Sequence, residues 1–220
     1  MKWGNVDLKW LGHAGFCIQA SGKRIYIDPL DCKSQGEADI ILISHSHFDH
    51  CSLPDLEKIT KDGTIIILPA SAQSTITKLN KKIQMQIVEP GDSLDLGIKI
   101  ETLPAYNLHK PFHPKSESWL GYLIKTENTI IYHSGDTDLI PEMEKLTGYG
   151  KKGNEFIVLL PVGGKYTMDA EDAAKAASLL KPSIAIPMHW GSVIGAQTDA
   201  ENFVNLCDAQ GIKAQILQKE

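Results

Sequence analysis

The sequence predicts an α/β protein, and three observations carry that prediction. Short apolar segments of strand length alternate with helix-like segments through most of the chain. Two stretches have the caps and periodicity of clear helices, while the first forty residues read instead as strands joined by glycine turns. With 220 residues and 42% hydrophobic content, residues 1–220 are expected to form a single domain that builds its core without disulfides.

The opening strands are residues 6–11, 16–19 and 24–27, separated by Gly12, Gly15 and the Ser21-Gly22 turn, which together describe a β-meander. Apolar strands follow at 40–43, 64–68, 123–132 with a turn inside it, 156–160 and 184–187. The clearest helices are 169–180 and 199–210. In the first, Asp169 suits the N-cap, Glu171 and Asp172 lie in the first turn, and Pro182 stands just past the end. Residues 104–118, reading PAYNLHKPFHPKSES, hold three prolines, two histidines and two lysines with neither period. An irregular loop of that length inside a compact domain is usually functional.

Composition narrows the function. Twenty-two Lys plus Arg stand against 27 Asp plus Glu, a net charge of −5. The basic footprint of a general nucleic-acid binder is missing, so no nucleic-acid partner is expected. The four cysteines, Cys17, Cys32, Cys51 and Cys207, show no paired spacing and read as reduced thiols. The first residues lack the apolar core and cleavage site of a secretory signal, and no apolar run is long enough to cross a bilayer. The expectation is a cytoplasmic chain without a membrane span; nothing in the sequence specifies an oligomeric state.

The strand at 40–43 runs directly into Ser44-His45-Ser46-His47-Phe48-Asp49-His50-Cys51. A lone HxH is well explained as a solvated turn. Three His and one Asp within six residues, placed where a strand ends, point to metal, because imidazole and carboxylate suit zinc and its divalent neighbours. His45 and His47 would serve one ion, and Asp49 and His50 the other. Two distant segments repeat the arrangement: Ile130-Ile131-Tyr132 leads to Asp136, and Ile184-Ala185-Ile186-Pro187 leads to His189. Ligands in open α/β sheets gather beyond the carboxyl ends of strands, so Asp136 and His189 can converge on the same place, with Asp136 bridging two ions. Zinc is the default from ligand type, one or two ions, with manganese or iron the alternatives where carboxylates dominate.

His45-Ser46-His47-Phe48-Asp49-His50 resembles the HxHxDH signature of the metallo-β-lactamase superfamily. The resemblance extends over nearly the whole chain through Trp10-Leu11-Gly12-His13-Ala14-Gly15-Phe16, Ile27-Asp28-Pro29, Gly135-Asp136-Thr137, Pro161-Val162-Gly163-Gly164 and Ile186-Pro187-Met188-His189. It looks most like the branch that includes the ascorbate-phosphate lactonase and the N-acylphosphatidylethanolamine phospholipase D. The resemblance implies a four-layer αββα sandwich with the metal site at one edge of the sheets, and hydrolysis by a metal-bound hydroxide. There is one departure. Where that branch carries a further ligand in Pro-Ala-x-His, this chain has Pro104-Ala105-Tyr106-Asn107, and Asn107 is a poor substitute for imidazole on zinc. Either a loop histidine, His113 in preference to His109, completes the first site, or that site binds its ion more weakly.

In this reading Asp49 is the catalytic residue, binding metal, holding the hydroxide and able to accept a proton. Asp28 is a candidate to tie down the second nitrogen of a ligand histidine, and equally a turn-forming Asp before Pro29. His13 is at most an outer-shell residue, and a structural histidine otherwise. His133 and Cys51 are read as structural. Tyr106, Asn107, Lys110 and Lys165, with Lys115 and Tyr166 nearby, are candidates for a substrate-binding rim, although lysines taken singly are more often solvated. Gly163-Gly164 either lets backbone amides approach a ligand or forms a tight turn. The expected function is metal-dependent hydrolysis of a small anionic ester, a phosphodiester or a lactone. A nuclease of the same superfamily is disfavoured by the acidic balance. A non-catalytic metal-binding or ligand-binding module is suggested by Asn107 and opposed by Asp49, because structural sites are closed by four ligands.

Overall fold

Strand pairing sorts the chain into two sheets in a computed structural model that describes residues 1–33, 35–150 and 153–220. The first sheet runs in chain order through β1 (Lys2–Trp3), β2 (Val6–Gly12), β3 (Gly15–Ala20), β4 (Lys23–Ile27), β5 (Ala38–Leu42), β6 (Thr60–Leu68) and β7 (Gln84–Ile87). It is antiparallel from β1 to β4 and parallel from β4 to β7. The second contains β8 (Ser93–Asp95), β9 (Lys99–Pro104), β10 (Leu120–Lys125), β11 (Thr129–His133), β12 (Glu155–Pro161) and β13 (Ile184–Met188). It is antiparallel from β8 to β11 and parallel from there to β13. Helices α1 (Leu53–Ile59), α2 (Gln73–Ile76) and α3 (Ala170–Leu180) lie in crossovers between parallel neighbours, and α4 (Gln197–Ala209) follows the last strand.

Successive strand residues face opposite ways, and the apolar runs of the first sheet divide accordingly. Phe16, Ile18, Ile25, Ile27, Ile40, Leu42 and Ile67 join the core that meets the second sheet, whereas Cys17, Tyr26, Ile41, Ile43, Ile66 and Leu68 pack with Leu56, Ile59, Ala72 and Ile76 on the α1 and α2 side. Beyond the second sheet, Ala173, Ala176, Ala177 and Leu180 of α3 and Phe203 and Cys207 of α4 are buried in the larger core. The layers are therefore helix, sheet, sheet, helix, and the central strands read as continuous apolar runs because both faces are covered. Tyr122 fastens the sheets together by donating its hydroxyl to the Ile43 carbonyl at 2.7 Å, a partner that a fully buried phenol needs.

The run at 123–132 is the β10–β11 hairpin. Helix α3 is capped by Asp169, whose carboxylate accepts from the Asp172 amide at 2.9 Å. Helix α4 begins two residues before the predicted start, with Asp199 accepting from the Ala196 amide instead of forming the cap itself. Strands β7, β8 and β9 were absent from the expectation. β7 and β8 are short edge strands with exposed or half-buried residues, and β9 buries Thr102 where an apolar residue would have signalled a strand. All four cysteines are free and buried, and among the described residues no helix is long and apolar enough to cross a membrane.

Candidate metal centre

β2, β4, β5, β9, β11 and β13 all run toward one edge of the sandwich, and each is followed there by a polar side chain. The sequence places His13 after β2, Asp28 after β4, the run from Ser44 to His50 after β5, Asn107 after β9, Asp136 after β11 and His189 after β13. Four residues there adopt left-handed backbone: His13 (φ 50°), Asp28 (41°), His113 (54°) and His189 (60°). Such a conformation costs on the order of 1–3 kcal/mol for a non-glycine residue and persists only where its surroundings enforce it. Part of that enforcement is mutual: the His189 amide donates to the His13 carbonyl at 2.9 Å, and Trp10 Nε1 donates to the same oxygen. Gly163 packs so tightly beneath this turn that a β-carbon would stand 2.5 Å from the His189 carbonyl, so a close backbone approach requires that glycine.

The side chains converge in two groups. Ring nitrogens of His45, His47 and His113 lie within 4.8 Å of one another, and so do ligand atoms of His13, Asp49, His50 and His189. Asp136 stands between them. Its Oδ2 is 3.2 Å from His113 Nε2 and 3.9 Å from His45 Nε2 on one side, and 3.4 Å from His50 Nε2 and 3.0 Å from His189 Nε2 on the other. His13 Nε2 lies 3.0 Å from Asp49 Oδ2.

The outer hydrogen bonds decide which ring nitrogens face inward bare. Asp28 accepts from the Ser44 amide at 2.7 Å, from Ser44 Oγ at 2.5 Å and from His50 Nδ1 at 2.8 Å, which leaves the His50 Nε2 lone pair toward the centre. Ser44 has given its only proton to Asp28, so it accepts from His45 Nδ1 at 2.9 Å and turns that Nε2 inward too. His113 Nδ1 donates to the Tyr166 carbonyl at 3.1 Å. The consequence is a set of acceptors facing acceptors. His50 and His113 Nε2, both ring nitrogens of His189 and Asp136 Oδ1 are buried without a hydrogen bond, and polar atoms left so around a carboxylate are costly unless a cation or a proton is shared among them. The donor set of imidazoles and carboxylates fits divalent transition metals.

Electrostatics agree with this arrangement. Burial, reinforced by neighbouring His50, holds His45 well below the usual histidine range, and burial lowers His47 and His13 as well. Burial opposes charge on His50 too, but Asp136 and Asp28 outweigh it and hold that imidazole well above its usual range. For Asp49 burial is outweighed by the hydrogen bond from His13 and by His50, which bring it down to about 2. For Asp136, the imidazoles of His189 and His50 overcome burial and hold the carboxyl well below its usual range.

Other residues singled out in the sequence fall outside the two groups. Asn107 lies against the cluster, its Nδ2 3.3 Å from His113 Nδ1. Its Nδ2 donates to the Phe112 carbonyl at 2.8 Å and the Tyr166 carbonyl at 2.7 Å, and its amide donates to the His113 carbonyl at 2.8 Å. It thereby pins the loop that carries His113, while its Oδ1 is buried without a hydrogen bond. Tyr106 turns away, donating its hydroxyl to Glu142, and lines a different groove together with Lys115. Lys110 is paired with Asp138, while Lys165 stands 5.0 Å over the Tyr166 ring. His109 is in neither ligand group. His133 is fully buried, with Nε2 donating to the Ala14 carbonyl. Two contributors escaped sequence reasoning: Ser44, and Trp119, whose ring lies tilted by 34° with its centroid 4.7 Å from that of His45. The position of Ser44 within the histidine run was a usable signal, whereas nothing local marks Trp119. Above the cluster lies a cavity of about 260 Å³ lined by His47, Phe48, Asp49, Phe112, His113, Asp136, Tyr166, His189 and Val193.

Residues 7–189 match the beta-lactamase superfamily domain. A UPF0173 metal-dependent hydrolase of Caldivirga maquilingensis is 34% identical over 212 residues, which is 92% of this chain and 89% of the relative. A metal-dependent hydrolase from Parabacteroides distasonis has a solved structure with a TM-score of 0.82 at 28% identity, covering 97% of this chain and 94% of the other. Igni18, a metallo hydrolase from Ignicoccus hospitalis, superposes with a TM-score of 0.78 at 26% identity, covering 97% and 95%. The likeness defines a fold and a hydrolase class without naming a substrate, and by it the chain belongs to the metallo-β-lactamase superfamily, among its metal-dependent hydrolases.

Proposed function

We propose that this chain hydrolyses a small anionic ester, a phosphodiester or a lactone, at a centre of two divalent ions. Zinc is the choice that the ligand types favour, with manganese or iron as alternatives. The observation that carries the reading is the convergence of buried ring nitrogens of His50, His113 and His189, none with a hydrogen bond, on the Asp136 carboxylate in one small space. His45, His47 and His113 would hold one ion and Asp49, His50 and His189 the other, with Asp136 placed to serve both. When bound, such ions bring the pKa of water toward about 7 and draw charge from the oxygen under attack.

The protein's own part is placement. Asp28 and Ser44 hold His50 and His45 in the tautomers that keep Nε2 inward. Asp49 is held by His13 and stays ionised across the neutral range, so it can accept a hydrogen bond from the attacking water and orient it. Among the described residues lining the cavity there is no lysine or arginine, so charge on the substrate would be met by bound ions rather than by a side-chain cation of the lining.

Elemental analysis of the purified protein, with a panel of chromogenic phosphodiesters, phosphomonoesters and lactones, tests the reading. The expected result is close to two equivalents of metal and turnover of at least one class, lost in Asp49→Ala. Less than one equivalent together with no turnover overturns it.

A further inference from the structure

Among the described residues, five large hydrophobic side chains are exposed, and three of them, Phe48 (69%), Phe112 (40%) and Val193 (41%), line the cavity over the metal centre. They come from three different loops, and each lies close in sequence to a candidate ligand. Phe48 stands between His47 and Asp49, Phe112 precedes His113, and Val193 follows His189 by four residues. Tyr166 from the loop after β12 completes the wall, with its ring edge-on to Phe112 at 4.7 Å between centroids. Exposed apolar groups concentrated at one concave place mark a binding surface rather than the ordinary scatter of surface hydrophobics. The cavity is also smaller than the roughly 300–1,000 Å³ of sites for drug-sized ligands.

We infer that the substrate carries a compact apolar group, an aryl or short alkyl substituent beside the scissile bond, and that Phe48, Phe112, Val193 and Tyr166 receive it. The inference rests on the hydrolase reading above and names the half of the substrate that the ions do not hold. A polyanionic substrate such as a nucleotide or sugar phosphate would leave its second charge against these rings, since the lining holds no lysine or arginine and Lys165 stands 5.0 Å over the Tyr166 ring without being part of it. An aryl group there removes both its own surface and the rings from water.

Binding of two non-hydrolysable anions, methylphosphonate and phenylphosphonate, to the metal-loaded protein tests this by calorimetry. Phenylphosphonate should bind about tenfold or more tightly than methylphosphonate, a preference of the size that one added apolar group confers. The ratio should collapse toward one in Phe48→Ala and in Val193→Ala, and return in Phe48→Leu. Because Phe48 is largely exposed, its substitution leaves the core intact. Equal binding of the two anions, with ester hydrolysis intact, overturns the inference and leaves the hydrolase reading standing. A change in oligomeric mass in Phe48→Ala without any change in the ratio also overturns it, since the rings would then face another copy of the chain. If neither anion binds a protein that holds no metal and hydrolyses nothing, it is the hydrolase reading that fails, and this inference with it.

Discussion

His13, Asp49, His50 and His189 are all buried, on turns close behind the strands that carry them, whereas His45 and His47 share their half of the centre with a histidine from a long irregular loop, and His47 is exposed. The deeper half needs only the sheets to be right. The shallower half needs residues 104–118 to adopt one conformation, and Asn107 supplies it by bonding the carbonyls of Phe112, Tyr166 and, through its own amide, His113. An asparagine thus stands where the resembling branch has a ligand, and it organises the loop in which another histidine approaches the centre. The contrast teaches that one edge of a sandwich can be assembled in two ways, by strand ends alone or by strand ends plus a pinned loop.

The largest expected effect comes from the residue common to both halves. Asp136→Ala should take the metal content from two equivalents to below one and lower hydrolysis by about a thousandfold or more, or about 4 kcal/mol of transition-state stabilisation. Loss of a single ion would instead assign Asp136 to one half and sharpen the comparison. Asn107→Ala should act on one side only. Metal titration should show the weaker site losing about 10–100-fold in affinity, the range for removal of a supporting hydrogen bond, with the tighter site unchanged. Equal loss at both sites would break the distinction.

The smallest effect is a pH dependence. In the metal-free protein the raised His50 imidazole keeps its proton at and above the usual histidine range, so an ion entering the deeper half must displace it. His45 is lowered and already neutral there. Affinity in the deeper half should therefore climb with pH by up to about tenfold per unit through neutrality, and affinity in the shallower half should climb less. Chelator competition between about pH 6 and 8 measures both slopes. Parallel slopes would remove the contrast.

Much of this was legible in the chain. The run from His45 to His50 after an apolar strand, Asp136 and His189 after two others, the Asp169 cap of α3 and the four unpaired cysteines are local patterns, and local patterns survive without knowledge of what packs against them. The edge strands β7 and β8 were not legible, because a half-exposed strand of three or four residues carries no period long enough to read. Tyr106 and Lys110 were expected at a substrate-binding rim because they lie in the irregular loop of residues 104–118. The fold turns them to Glu142 and Asp138 instead, since in an irregular loop neighbours in sequence have no fixed shared direction.

The sequence by itself determined the chemistry available: an α/β frame, imidazoles and carboxylates at strand ends, and a net acidic balance. Only the tertiary structure decided which of them meet. It placed His13 against Asp49, brought His113 to Asp136, and set Ser44 and Asp28 against the Nδ1 atoms of His45 and His50. The physical reason is that ligand identity is a property of a residue, while coordination is a property of distances between residues far apart in the chain, and those distances exist only once both sheets have closed on a common edge.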